Sequence, residues 1–354
     1  MPGIARRAFV ATVVAVAVIA AALALWQLRL LLGLIFLAVT IAAAMRPGVE
    51  GLARQGVPRP AGVALHYLGL LAVIGLFLWL AVPAAIDQTQ AALGNVPTSA
   101  GELRRAANHS HGLKHEILVG IEKRLRDLPS GSQLIRPALD IGRKAVEVLV
   151  GIFFTFAAAA YWIFERERAM RIALTLLPRG KRKVARDTWE LIDLKLGAFV
   201  RGQLLLIVFV ATLLSFLFWL VGEPFWLLLG SVAGVVELLP VIGPLAAGLL
   251  AVGAGLTDSW QVALAAALCV LAVRMLEDYM VVPRVLGHAV GLSPLYVLVS
   301  VSAFGLLLGG IFVLLAVPLA AVLATILDVV ALRHDPSKQD VPALLFPAKE
   351  REVQ

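Results

Sequence analysis

The residue pattern points to an all-α, polytopic integral membrane protein of about eight transmembrane segments. Of its 354 residues, 60% are hydrophobic and 15% are charged. A soluble domain carries about 45–50% apolar and about 25% charged residues. Apolar stretches near the ~20 residues that a membrane helix needs recur along most of the chain, and charges gather in the gaps between them.

In chain order, the first span covers about Ala8 to Trp26 and the second about Leu28 to Met45. Arg6 and Arg7 followed by an apolar run imitate a secretory leader. The run exceeds the ~7–15 apolar residues of a leader core, however, and a second span follows at once, so the two read as a retained hairpin. The third span covers about Gly62 to Val82, after Arg46, Pro47, Arg54, Arg59 and Pro60. Residues 84–144 turn polar, with Leu113, Ile117, Ile121 and Leu125 at helical spacing, as in an amphipathic helix outside the hydrocarbon. The fourth span, about Ala145 to Phe164, precedes a basic linker over 165–198. A C-terminal core over 199–332 holds the remaining spans, and 333–354 form a tail.

Charge sets the orientation. Arg166, Arg168, Arg171, Arg179, Lys181, Arg182, Lys183 and Arg186 form the most basic stretch, and basic residues near span ends mark the cytoplasmic side of a bacterial inner membrane. That choice puts both termini inside and 84–144 outside. The net charge of +8 sits beside apolar spans, where it meets lipid headgroups, so the bilayer rather than nucleic acid is the expected partner. The single cysteine, Cys269, excludes an intrachain disulfide.

Within the core, the fifth span covers about Phe199 to Val221 and the seventh about Trp260 to Val282. Two apolar regions are too long for one ordinary crossing at about 1.5 Å per residue. Phe225 to Leu256 is broken by Pro240, Gly243 and Pro244; Leu292 to Val330 is interrupted by Gly305, Gly309, Gly310 and Pro318. Each is either a bent crossing or a re-entrant hairpin, and Arg284 in the intervening loop favours hairpins. Broken helices in matching places point to a transport pathway, because unwound backbone is tolerated only where it is buried or lines a cavity.

Ionisable residues at membrane depth are expensive, about 2.5–3.5 kcal/mol on insertion scales, and are kept for pairing or function. Glu237, beside the first break, is the leading candidate to handle substrate or protons. Arg274, Glu277 and Asp278 share one face of the seventh span at spacings of three and four, so ion pairing within the helix is expected alongside a gating role. Arg201 and Gln203 open the fifth span, where Arg201 is expected to reach toward the interface. His109, His111 and His115 read as a solvated loop, and no metal or other cofactor is expected. No P-loop, zinc-protease or serine-hydrolase motif is present, which leaves an ion gradient or downhill flow as the energy source and gives no support to an enzyme.

The C-terminal half resembles a known family. Gly197-Ala198-Phe199-Val200-Arg201-Gly202-Gln203, the Glu237–Pro244 segment, Glu277-Asp278-Tyr279 leading to Val282-Pro283-Arg284-Val285-Leu286-Gly287, Gly309-Gly310 and Ala316-Val317-Pro318-Leu319-Ala320 occur in the order and spacing of the autoinducer-2 exporter family. The resemblance implies an inner-membrane permease of about eight spans that exports the quorum-sensing furanone signal or exchanges Na⁺ (or Li⁺) for H⁺, and that forms homo-oligomers. It also implies supporting roles for Arg201, Gln203, Pro283, Arg284 and Gly287 around the pathway. The chain departs from the pattern at Gly291-Leu292-Ser293-Pro294, where relatives often carry His before the Pro. A membrane scaffold that transports nothing is the competing class of function.

Overall fold

The computed structural model describes residues 2–93, 131–239, 242–285 and 292–339, and among them it is helical with no strand. Helices α1 (Pro2–Gln27), α2 (Arg29–Arg54), α3 (Arg59–Leu93) and α4 (Gly131–Thr175) precede the core. The core comprises α5 (Arg182–Leu220), α6 (Trp226–Val236), α7 (Ile242–Gly255), α8 (Trp260–Leu276), a π-turn (Glu277–Val281), α9 (Val282–Val285), α10 (Pro294–Leu308) and α11 (Gly310–Val330). Among the described residues seven stretches are long and apolar enough to cross a bilayer, lying in α1 to α5, in α8 with its π-turn, and in α11; α6, α7 and α10 are shorter. This is a multi-pass membrane architecture. The amphipathic pattern at Leu113–Leu125 and the three histidines fall outside the described residues.

Local chemistry sets several helix ends. Ser259 and Ser293 cap α8 and α10 by accepting bonds from Val262 N at 3.3 Å and Tyr296 N at 3.4 Å, and Pro294 occupies the first turn of α10, where its missing N–H costs nothing. Helices α4 and α5 run on through the charged sequence between the fourth and fifth spans, because its Arg, Lys, Glu, Ala and Leu are strong helix formers.

Two features differ from the sequence expectation. α1 and α2 do not form a hairpin. Only Leu28 separates them, at φ −84° and ψ 1°, with Leu28 N bonded to Ala24 O and Leu32 N to Leu28 O, so the chain bends without reversing. The junction holds no Gly, Pro or Asn to build a tight turn. Pro318 does not interrupt the last region either. It lies buried inside α11, in the protein interior where neighbouring groups can compensate a proline in a membrane helix.

Both over-long regions are hairpins, and they point in opposite directions. α2, α4 and α5 meet at one end, here called the basic end, where Asp193 of α5 pairs with Arg166 of α4 and lies 3.8 Å from Arg46 of α2. α5 runs away from that end and α6 returns along it: Gly230 packs on Ser215, Gly234 on Ile207 and Ala211, and Gln203 reaches Glu237. α7 then runs back until Gly255 lies beside Glu223, so the α6–α7 tip faces the basic end. The α10–α11 pair is inverted. Phe312, just past its Gly309–Gly310 tip, packs on Gly33 near the start of α2, whereas Thr325 is bonded to Lys195 near the basic end. Gly309 adopts φ 103°, a left-handed value that favours glycine, and Gly305 folds against Val313 across the turn.

Between α5 and α8, Val210, Leu214 and Phe218 pack against Ala233, Ala247, Ala251 and Ala266. Small residues let membrane helices approach closely, where van der Waals packing is the main attraction available. A β-carbon at Gly230 or Gly234 would collide with α5, which explains glycine at both positions.

Candidate functional site at the hairpin tip

The tip is built from backbone that has left the helical pattern. α6 ends at Val236, and its last bonds tighten, with Leu238 N to Val235 O at 3.3 Å and Leu239 N to Val236 O at 2.9 Å. Gly243 opens α7 directly against the Val236 carbonyl, leaving no room for a side chain. Gln203 of α5 donates to the Glu237 carbonyl at 3.0 Å and so holds the tip to the bundle. Pro240 lies outside the described residues, as does Gly287.

Opposite the tip, α8 gives way to the π-turn, in which Val282 N bonds to Glu277 O. Pro283 supplies a cause: in an ordinary α-turn its ring would meet the Tyr279 carbonyl four residues back, and a wider turn relieves that clash. The widened turn directs Glu277 into the protein, leaving it 3% exposed.

These elements bring one guanidinium against three carboxylates. Arg274 Nη1 lies 3.3 Å from Glu237 Oε1 and 3.2 Å from Glu277 Oε2, and Nη2 lies 2.9 Å from Asp278 Oδ1. Arg274 Nε also donates to Asp278 Oδ2 at 3.1 Å. The Glu237 and Glu277 side chains are 9% and 4% exposed, and that of Asp278 is 47% exposed. The sequence spacing predicted the two pairs within α8; the bond to Glu237 crosses from α8 to the hairpin tip. One guanidinium does not balance three ionised carboxylates, two of them buried, so the arrangement favours a proton on one of the acids.

Glu237, Pro244, Arg274 and Glu277 also border a cleft of about 20 Å³, walled by Val210, Leu214, Ala233, Ala247, Val270 and Val273. That space admits about one water. The cleft as seen here has no room for anything larger.

The remaining predicted residues are dispersed. Arg201 donates to the Ala44 carbonyl of α2 at 3.2 Å, so it ties α5 to α2 instead of reaching toward the interface. Gly309 and Gly310 form the other hairpin's tip at the opposite end, and Pro318 lies in the body of α11; none of these joins the Glu237 cluster. Pro283 is exposed, and the Arg284 side chain lies outside what the structure describes.

Similarity to known proteins follows the same outline. The sequence pattern of the AI-2E family transporters matches residues 14–332, which include every element of both hairpins. The chain belongs to the AI-2E transporter family. Among relatives of that family's kind it is similar to YrrI of Bacillus subtilis strain 168, a candidate transport protein, at 25% identity over 297 residues, covering 82% of this chain and 83% of YrrI. YueF from the same organism, also a candidate transport protein, is 26% identical over 80% of each chain. The corresponding protein MT0215 of Mycobacterium tuberculosis is 25% identical over 81% of this chain and 79% of its own length.

Two charged sites escaped the sequence reading. Asp193 and Lys195 are not among the residues the sequence singles out, and both are buried, at 8% exposed. Asp193 accepts from Arg166 Nε, while Lys195 donates to Thr325 Oγ1 at 3.0 Å and to Gln339 Oε1 at 3.1 Å. The signal was present: Lys195 falls on the stripe Leu191, Ala198, Gly202, Leu206, Val210, Leu214 and Phe218, whose steps of three and four mark the buried face of α5. Glu223, between α5 and α6, is 2% exposed. It carried no signal beyond its place between two apolar runs.

Proposed function

We propose that this AI-2E family member is a proton-coupled secondary transporter whose pathway runs along the α5–α8 bundle, with the Glu237–Arg274–Glu277–Asp278 cluster as its coupling site. One observation carries the proposal: one arginine holds three carboxylates at the tip of the α6–α7 hairpin, 3.3 Å from one and 3.2 Å from another. With two of those carboxylates almost fully buried, the neutral and ionised forms of the cluster differ in energy by an amount that one bound proton can reverse. Two inverted hairpins fit alternating access, in which discontinuous helices bring a site to each face in turn.

For the solute, the small furanone signal autoinducer-2 is the first candidate and export the proposed direction. The acidic excess favours a second reading, exchange of Na⁺ or Li⁺ for H⁺, because a hard monovalent cation would be held by the same carboxylates. We place the basic end and the tail beyond α11 in the cytoplasm of a bacterial inner membrane. By the same charge rule Arg6 and Arg7 belong there too, which requires the bend at Leu28 to close into a turn once α1 enters the bilayer. The exposed apolar faces of α1 and α3 offer surfaces to lipid and to a second copy in a homo-oligomer.

Reconstitution into liposomes tests the reading. Purified protein is expected to move the furanone, Na⁺ or Li⁺, with a rate that responds to an imposed pH gradient. Failure of all three, with correctly folded protein in the membrane, would favour a scaffold that acts through its extramembrane segments.

A further inference from the structure

The α5–α8 bundle has a second buried acid, at the end away from the hairpin tip. Glu223 follows Gly222, which turns the chain at φ 78°, and its backbone is fixed by Glu223 N to Phe218 O at 2.9 Å and Trp226 N to Glu223 O at 3.3 Å. The side chain then points inward beneath the α7–α8 turn. A β-carbon on Gly255 would lie 3.0 Å from Glu223 Oε2 and 2.7 Å from the Ala263 Cα, so glycine there leaves the carboxyl just enough room.

Among the described residues neither carboxyl oxygen has a hydrogen-bond partner, although the residue is 2% exposed. An ionised carboxylate ordinarily accepts several donors, and one buried without any costs several kcal/mol. What surrounds it gives no compensation. The carboxyl lies against Gly255, which packs on Ala263 of α8, and the charged group recorded against it is Asp258 of the α7–α8 turn, of the same sign. Burial first, and then the Asp258 charge, push the Glu223 carboxyl up to about 7. The closed packing seen here therefore suits the neutral acid, and the ionised form must draw in water.

We propose that Glu223 is a proton-binding site that seals the end of the pathway opposite the Glu237 cluster. The neutral carboxyl packs under Gly255 and closes that end. Loss of its proton to water on that face leaves a carboxylate that parts the α5–α6 turn from the α7–α8 turn; regaining a proton from the same water restores the seal. α6 spans the two acids, with Glu223 before its first residue and Glu237 after its last, about 20 Å apart along the axis. A displacement at one end of this short, rigid helix is thus felt at the other. The proposal rests on the transport reading for its role in the cycle, but proton binding stands apart from it.

Infrared difference spectroscopy of the purified full-length protein tests the binding directly. A protonated-carboxyl C=O band should disappear as pH is raised through about 7, be absent in both Glu223→Gln and Glu223→Met, and move to lower pH in Asp258→Asn. The same neutral-pH band in wild type and in both Glu223 variants, or its absence from wild type, would overturn the proposal. In liposomes Glu223→Gln should retain downhill solute movement while the acceleration by a pH gradient falls to a ratio of one. Gradient-driven movement equal to wild type would refute the sealing role. A titrating band without any transport would retain the proton site and reject the transporter reading.

Discussion

Replacing Arg274 by Gln removes the one cation from the hairpin-tip cluster and leaves three carboxylates facing each other. The contribution of Asp278 is small, because its side chain is 47% exposed and a pair of that kind is worth about 0–1 kcal/mol. Glu237 and Glu277 are different, at 9% and 4% exposed. Breaking a buried pair by removing one partner costs about 3–5 kcal/mol, and proton uptake by the stranded acids relieves part of this. The expected loss is about 3 kcal/mol at pH 8, falling to about 1 kcal/mol near pH 5.5, where protons are more available. Thermal unfolding in detergent, followed through the fluorescence of the seven tryptophans, should show a fall of roughly 5–10 °C at the higher pH. Adding Glu277→Gln to Arg274→Gln should recover more than half of it. An unchanged transition at pH 8, or no recovery in the double variant, would refute the reasoning that these charges are mutually compensating.

Other perturbations probe neighbouring features. Gly230→Ala places a methyl against Ser215 of α5 and should lower stability by about 3 kcal/mol, measured by the same unfolding assay, whereas Gly253→Ala, with open space around it, should be neutral or stabilising. Asp193→Asn removes the buried carboxylate from Arg166, which is 5% exposed at the basic end and keeps Glu167 at 2.6 Å; a loss of about 2 kcal/mol is expected, less than for a buried pair fully broken, and much of it recovered in Arg166→Met/Asp193→Leu. Glu223 sets a pH dependence with a definite sign. Its folded-state value is raised from 4.5 to about 7, so the folded protein holds the proton more tightly, and its contribution to stability is lost as pH rises across that window. Glu223→Gln should flatten the fall in melting temperature between pH 5 and pH 7.5, and an unaltered slope would contradict the assignment.

The membrane class and the two breaks were legible because they rest on local properties. Apolar length marks a crossing, and Pro and Gly gather where one short helix gives way to the next, Gly243 and Pro244 opening α7 and Gly309 and Gly310 standing at the junction of α10 and α11. The pairs of Arg274 with Glu277 and Asp278 were legible from spacing for the same reason. The third partner was not, because Glu237 reaches Arg274 only when α6 and α7 fold back against α8, and no local pattern encodes that approach. Pro318 misled in the opposite way: a buried membrane helix tolerates proline that would end a soluble one. Lys195 could have been found by extending the α5 stripe toward the basic end. Glu223 could not, since its burial depends on Gly255, more than thirty residues later.

The central claim is that transport is coupled at the hairpin tip. Its most direct test is solute flux in liposomes under an imposed pH gradient, comparing wild type with Glu237→Gln after equal insertion and an intact fold have been verified for both. Coupled movement in wild type that the substitution abolishes is the predicted result. Equal coupled flux in the two proteins would place the coupling site elsewhere and contradict the claim.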